Sequence, residues 1–348
     1  MARVRAVTVA DVARHAGVSL STVSNVLNHP ERLSSVTLQK VSRSIEMLGF
    51  IRNDAARQMR TGESLVLGLV IVDSSLPFYW RLAGSVEDKA MSYGYSILVA
   101  NSSQNPERQA KNTHLFESQR VQGLLATPIG NRLEEFRVLK RRGTPIVLID
   151  YPPTTDEFTA VAVDHHHGGL LAAQHLLEVG RRRIAIMAGG SEFLQIDERY
   201  RGATEVVAGH PGAVIQPIFA HSLGLDGGAE LAHAVLDLPS RKRPDAVFAP
   251  NDVLALGVIQ TLQAAGARVP DDFAVIGYDD AVYPSAVGVS LTTVRQPTTL
   301  VGETALELLM EQIEEPGTWQ HRTVTFQPEL VVRGSTAVVP AASPGDGR

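Results

Sequence analysis

The sequence predicts an α/β protein in two unequal parts, a small all-α head followed by a larger two-lobed body of parallel, doubly wound sheets. Three observations carry this. Over the first sixty residues, apolar side chains recur at helical spacing. From Leu65 onward, short apolar strands alternate with amphipathic stretches, the pattern of parallel sheets covered on both faces. Charge divides at the same boundary: residues 1–62 hold nine basic and four acidic side chains, a balance of +5, whereas the other 286 hold 23 and 33, a balance of −10. A basic head on an acidic body is the asymmetry expected of a nucleic-acid-binding module joined to something else.

A length of 348 residues suits two domains of about 150 each, with room for a small third. Hydrophobic residues at 44% and charged residues at 20% are ordinary for a soluble globular chain and argue against disorder, collagen-like repeats and coiled-coil rods. The longest apolar run, Leu65 to Val72, is too short to span a bilayer. Arg3, Arg5, Asp11 and Arg14 leave no apolar core for a secretory signal, so a cytoplasmic protein is expected. The absence of cysteine excludes disulfide scaffolds, thiol catalysis and cysteine-ligated zinc or iron–sulfur sites.

The elements follow in order. Thr8 with Asp11 at +3 has the form of a capping box, and Val9, Val12, Ala13 and Ala16 follow at helical spacing. Gly17 ends that helix. Ser19 caps a second one, in which Val23, Val26 and Leu27 face inward and Leu20, Ser21, Asn25 and Asn28 outward. Two short helices joined by Ala16-Gly17-Val18 form a helix-turn-helix, whose second helix can enter the major groove of DNA. A third helix, Ser35 to Leu48, supplies Val41, Ile45 and Leu48 to close a small core and stops at Gly49. Any three-helix bundle would pack as well. Short polar residues at the start of the second helix are nonetheless a poor choice for a merely solvated face, which favours Glu and Lys.

Residues 7–28, VTVADVARHAGVSLSTVSNVLN, resemble the DNA-binding signature of the lactose/galactose repressor (LacI/GalR) family, and residues 48–64, LGFIRNDAARQMRTGES, resemble its hinge. The resemblance implies base-reading roles for Leu20, Ser21 and Asn25. It implies phosphate-facing or capping roles for Thr8, Ser19, Thr22, Ser24 and Asn28. Asn25 stands where many members carry Arg; Arg suits guanine O6/N7 and Asn suits adenine N6/N7, which moves the expected base toward adenine. In the hinge, Asn53 can cap a short helix, Asp54 to Met59, with Ala55, Ala56 and Met59 on one face and Arg57 and Arg60 near phosphates. So short a helix is marginal alone and is expected to form only against a copy of itself on DNA. By resemblance Met59 is an apolar wedge for the minor groove, with packing against the body as the alternative. Arg52 replaces the proline usual in the family, which loosens the turn before the hinge.

The expected strands of the body are Leu65 to Val72, Tyr95 to Ala100, Gly123 to Ala126, Pro145 to Ile149, Ile184 to Met187, Ala246 to Ala249 and Phe273 to Ile276. Most end in a polar or small residue: Asp73, Asn101, Thr127, Asp150, Gly189, Asn251 and Asp279. Ligands of open α/β sheets bind at the carboxyl ends of strands, so these positions are expected to line a common crevice. The body exceeds one comfortable sheet. Ala160 to Gly168 reads as a crossing into a second lobe and Leu291 to Pro297 as a crossing back. Segments such as RVQGLLATP, PDAVFAPNDVLALG, VPDDFAVIGYDD and LTTVRQPTTLVGETALELL resemble the effector-binding domain of the same family, whose fold is shared with periplasmic sugar-binding proteins.

That resemblance implies effector contacts from Asp73, Phe78, Tyr79, Arg199, Asn251 and Asp279, with Gln195 a weaker candidate. The set suits a polyol: carboxylate and amide for hydroxyls, guanidinium as a two-pronged donor, an aromatic face for the C–H side of a pyranose. Ordinary packing is the alternative for Phe78, Tyr79 and Trp80, and Trp80 is expected in the core. A structural ion pair is the alternative for Arg199 and Asp279. Residues 165–167, three consecutive histidines, are expected to be exposed at a helix start rather than to hold a metal. Gly189-Gly190 and Gly227-Gly228 lack dinucleotide and phosphate-loop patterns, no hydrolase or metalloprotease motif is present, and neither metal nor cofactor is implied.

The expected division is a DNA-binding head over 1–50, hinge helix and linker over 51–63, an effector-binding and dimerisation body over 64–336, and a disordered tail over 337–348. The chain is expected to be a transcriptional regulator, a repressor above all, that binds a pseudo-palindromic operator as a homodimer and answers to a small effector, a sugar or sugar derivative. A purine effector, a soluble sugar sensor without DNA function and a carbohydrate enzyme are the rivals; the last lacks a visible acid/base pair.

Overall fold

The computed structural model describes residues 7–50, 64–152, 157–187, 193–281, 288–317 and 320–336. Expectations for Gly189, for Asn53, Arg57, Met59 and the rest of the hinge, and for the tail lie outside them. The chain divides into two compact units, Met1–Glu63 and Ser64–Arg348.

In the first unit, α1 (Val9–Ala16), α2 (Leu20–Asn28) and α3 (Ser35–Leu48) surround a core of Val12, Ala13, Ala16, Val23, Val26 and Val41. Local chemistry fixes the helix ends. The Thr8 hydroxyl accepts from the Asp11 amide while the Asp11 carboxylate accepts from the Thr8 amide at 3.0 Å, closing the anticipated capping box. Ser19 Oγ accepts from the Thr22 amide at 3.1 Å, and Ser34 Oγ caps α3 in the same manner. Gly17 ends α1 at φ 58°, left-handed backbone that costs a side-chain-bearing residue more.

The second unit holds two six-stranded sheets. The first runs β11-β5-β4-β3-β1-β2, with β1 (Val66–Ile71), β2 (Ser96–Asn101), β3 (Leu124–Ala126), β4 (Ile146–Ile149), β5 (Thr159–Val163) and β11 (Thr323–Phe326), all parallel. The second runs β12-β10-β9-β8-β6-β7, with β6 (Arg183–Met187), β7 (Val214–Ile218), β8 (Ala246–Phe248), β9 (Ala274–Tyr278), β10 (Thr292–Arg295) and β12 (Glu329–Val331). Here β12 is antiparallel to β10 and the other pairs are parallel. The two orders match position for position, so β4 and β9 occupy equivalent places.

The first sheet carries α4 (Pro77–Ser92), α5 (Pro106–Ser118), α6 (Glu134–Arg141) and α11 (Thr298–Glu314); the second carries α7 (His165–Glu178), α8 (Leu194–Ala208), α9 (Leu225–Leu236) and α10 (Asp252–Ala264). Inward positions alternate along β6. Ile184 and Ile186 pack with Ala172, Leu176 and Ala203, while Ala185 and Met187 pack in the cluster that contains Leu231 and Leu254.

The chain passes between the lobes three times, at Asp164–His165, Gln296–Pro297 and Gln327–Pro328. The first two fall inside the expected crossings, whose flanks turn out to be strands β5 and β10. The third was not anticipated, because β11 and β12 are short and polar enough to leave no apolar run. Two further expectations are corrected. Edge strand β2 is not covered on both faces, since Leu98 and Val99 are 43% and 45% exposed. Trp80 is 59% exposed, not in the core, because α4 buries the face of Phe78, Tyr79, Leu82 and Val86.

Candidate functional site

On the head, Leu20, Ser21 and Asn25 form the exposed row of α2, with Leu20 56% exposed although it is apolar. Ser19 Oγ lies 2.7 Å from Ser21 Oγ and 2.8 Å from Thr22 Oγ1, so the start of the helix is knit by its own hydroxyls. The Asn28 amide donates to the Ser24 carbonyl at 2.6 Å, which ties those two side chains to the helix end. Arg14, Lys40 and Arg43 are also exposed on this unit.

In the body, a cavity forms at the carboxyl ends of the strands. Phe78 and Tyr79 enter from the start of α4, with rings edge to face at 5.1 Å. Asp150 enters from the end of β4; Gln195 and Arg199 from α8; Asn251, Asp279 and Gln296 from the ends of β8, β9 and β10. Asp150 and Asp279 are equivalent in the two lobes. Both have positive φ, 56° and 104°, and each donates its amide to the neighbouring strand, to Val161 O at 2.7 Å and Val294 O at 2.8 Å. Such backbone is costly for a residue with a side chain and persists where its surroundings over-determine it.

The expected residues do not all converge. Asp73 does not line this cavity: its oxygens accept from Ser75 and from Gln104, closing its own turn. Asn101 bonds to Ser74 and Ser103, and Thr127 to the Val70 carbonyl, so these strand ends also stay outside. Asn251 does line the cavity, as the N-cap of α10, its Oδ1 accepting from the Leu254 amide at 2.8 Å and its Nδ2 donating to the Leu223 carbonyl at 2.9 Å.

His165 corrects the exposed-imidazole expectation: it is 6% exposed, held by partners distant in sequence. Its Nε2 lies 2.6 Å from Asp150 Oδ1, and its Nδ1 faces Arg199 Nε at 3.3 Å and Tyr278 Oη at 3.2 Å. A guanidinium can only donate, so Nδ1 is the acceptor and Nε2 carries the proton that goes to Asp150. Burial, opposed by Asp150 and assisted by Arg199, lowers the imidazole pKa and keeps it neutral.

Arg199 and Asp279 form no ion pair within 4 Å. The guanidinium donates to the Pro250 carbonyl as well as to His165 and lies over the Tyr278 ring, 3.5 Å from its centre. Asp279 Oδ1 accepts from Gln296 Nε2 at 2.6 Å. Burial pushes the Asp279 carboxyl up to about 7, against Arg199 and Gln296. Asp280, by contrast, is pulled below the ordinary range despite partial burial by Arg295 and Arg333, at 2.8 and 2.6 Å.

The lobes touch across the cavity through Arg81, which donates to the Asp280 carbonyl at 2.8 Å, and Gln195, which donates to the Asp150 carbonyl at 2.6 Å. The cavity encloses about 50 Å³, room for a few waters. A second cavity of about 260 Å³, towards Tyr151, Asp164 and Thr325, shares Asp150 and Gln195 as its wall. Sequence reasoning missed His165, Tyr278 and Gln296 as site residues; Asp150 was marked only as a strand end.

A helix-turn-helix head followed by two lobes of equivalent topology defines a DNA-binding regulator whose body has the periplasmic-binding-protein fold. Among the described residues, no helix is long and apolar enough to cross a membrane. The family described as "Bacterial regulatory proteins, lacI family" matches residues 8–53, and "Periplasmic binding protein-like domain" matches residues 173–336. The chain is 32% identical over 336 residues to the HTH-type transcriptional repressor PurR of Aliivibrio fischeri strain MJ11, covering 94% of this chain and 98% of that one. It is 33% identical over 331 residues to the ribose operon repressor of Escherichia coli K12, covering 94% and 99%. Among solved structures, the lac repressor dimer bound to operator and the anti-inducer ONPF superposes with a TM-score of 0.83 at 25% identity, covering 96% and 100%. This chain belongs to the LacI family and is a DNA-binding transcriptional repressor.

Proposed function

We propose that this repressor binds a pseudo-palindromic operator as a homodimer in the cytoplasm, and that a small effector, a sugar or sugar derivative, held between the lobes controls its operator affinity. The observation that carries the effector site is the convergence of Asp150 and Asp279, equivalent strand ends of the two lobes, on one cavity with Arg199, Tyr79 and Gln195. A ligand touching both lobes favours one lobe angle over others, which is what coupling to a distant DNA site requires. Direct base reading falls to Leu20, Ser21 and Asn25; Thr8, Ser19, Thr22, Ser24 and Asn28 hold the helix on the backbone. Asn53, Arg57 and the Met59 wedge complete the contact in the hinge.

Support for a dimer comes from the relative solved as a dimer on its operator and from edge strand β2, where Leu98 and Val99 lie open. The relatives include repressors named PurR and ribose operon repressor, and the Phe78, Tyr79 and Phe193 wall favours a purine as the second reading. Regulation without turnover is expected of either ligand.

The test is selection of sites from random duplex DNA by full-length protein, followed by an effector screen on the selected site. A symmetric consensus whose occupancy changes with one sugar establishes the reading. Enrichment of no sequence, with or without added ligands, removes it.

A further inference from the structure

The chain has five lysines, Lys40, Lys89, Lys111, Lys140 and Lys242. Lys40, Lys111 and Lys242 are exposed, and Lys89 on α4 is held by the Glu307 carboxylate of α11, which raises its pKa. Lys140 stands apart. It lies near the end of α6 and is only partly exposed; its Nζ sits over the Phe158 ring, 5.0 Å from the centre, donates to the Glu157 carbonyl and lies 2.8 Å from His321 Nε2. Burial lowers the pKa of this amine against the opposing charge of Glu157, whose carboxylate accepts from Arg137 at 2.9 and 3.0 Å. Burial, assisted by Lys140 and opposed by Glu157, also lowers the pKa of the His321 ring and keeps it neutral. An ammonium only donates, so His321 Nε2 faces it as an acceptor. A lysine whose charge is disfavoured, beside a neutral imidazole, is a nucleophile with a base at hand. None of these groups lines the cavity between the lobes.

We propose that Lys140 is a modification site that takes an acyl group from an activated acyl donor, an acyl phosphate or a thioester, with His321 as the base. Nζ attacks the carbonyl carbon; the N–C bond forms, the C–O or C–S bond breaks, and phosphate or thiolate leaves with the bonding pair. Of the two protons the ammonium sheds, the first passes through His321 Nε2 to solvent and frees the lone pair. The second leaves with the phosphate or thiolate. The product amide is uncharged and carries one N–H in place of three. It cannot serve both Glu157 and His321, so the residues that lead into β5 and β11 lose their common partner. Strand β11 runs on to the passage at Gln327–Pro328, so the modification acts on one of the three ties between the lobes.

The experiment is incubation of the full-length protein at neutral pH with acetyl phosphate and, separately, with acetyl coenzyme A, followed by cleavage after glutamate and mass spectrometry of each lysine-bearing peptide over time. Lys140 is expected to be labelled ahead of the other four, about tenfold faster than Lys89. His321→Gln keeps an acceptor for the ammonium but cannot carry a proton, and is expected to slow Lys140 about tenfold while Lys89 keeps its rate. Melting temperatures identify a variant that has lost its fold, and His321→Phe, which fills the space without a proton acceptor, then takes its place. Labelling by one reagent alone names the donor, and either upholds the inference. Labelling of Lys89 or of an exposed lysine as fast as Lys140, no labelling of Lys140 by either reagent, or an unchanged Lys140 rate in the folded variants overturns it.

Discussion

Asn25 stands exposed on the row of α2 beside Leu20 and Ser21 with none of the described residues claiming its amide, and a short amide matches the donor–acceptor pair of adenine in the major groove. Asn25→Arg is therefore expected to move the preferred base at one position of each half-site from adenine to guanine, with discrimination of about 1–3 kcal/mol, read from selected-site sequences of the two proteins. An unchanged consensus would show that Asn25 reads no base. In the body, Asp279 makes stability depend on pH. Its folded carboxyl titrates at about 7, above its ordinary value because burial disfavours the charge. Between roughly pH 4 and 7 the folded protein keeps a proton that the unfolded chain has lost, so this group's contribution to stability falls as pH rises through that window and levels off above it. Asp279→Asn is expected to remove that slope, at most about 1.4 kcal/mol per pH unit, in denaturant titrations at pH 5 and 7.5. Parallel pH dependences in the two proteins would assign the titration elsewhere.

Helices α7 and α8 meet with almost no side chain between them. A Cβ on Gly169 would come within 2.1 Å of the Arg199 carbonyl oxygen, and one on Gly202 within 2.0 Å of the His166 carbonyl oxygen. Backbone cannot rotate out of the way as a side chain can. Gly169→Ala is therefore expected to cost about 1–3 kcal/mol in denaturant titration and, by shifting the segment that carries Arg199, to weaken effector binding. Gly84→Ala, inside α4 with open space around the added methyl, is expected to stabilise by up to about 1 kcal/mol in the same assay. Equal effects of the two would mean that the helices slide apart freely. Legibility in the sequence varied with the same local chemistry. The helices of the head follow from caps and apolar spacing within fourteen residues at most, and their limits were readable. The central strands were readable as apolar runs. Strands β7, β11 and β12 were not, because Gln216-Pro217, Thr323, Thr325 and Glu329 interrupt any run at the sheet edges. His165 was misjudged for a different reason: the partners that bury it, Asp150 and Tyr278, are 15 and 113 residues away, and nothing near it announces them.

At the scale of the whole molecule, edge strand β2 exposes Leu98 and Val99, and in the proposed homodimer a second copy of the chain covers them. Leu98→Asp with Val99→Asp is expected to yield monomers in sedimentation and to weaken operator binding by a hundredfold or more, since each head alone reads half a site. Retained dimers would place the interface on another face. The three passages between the lobes carry a mechanical consequence. Two bodies joined by one strand of polypeptide can swivel in any direction, whereas three ties set side by side act like the knuckles of a door hinge and leave one easy rotation. The bond of Gln327 to Asp164 at 3.2 Å fastens the first tie to the third. Whatever enters the crevice can then report only a single quantity, the opening angle. A protease that severs one tie would leave the halves joined by the other two, still in register but free to twist.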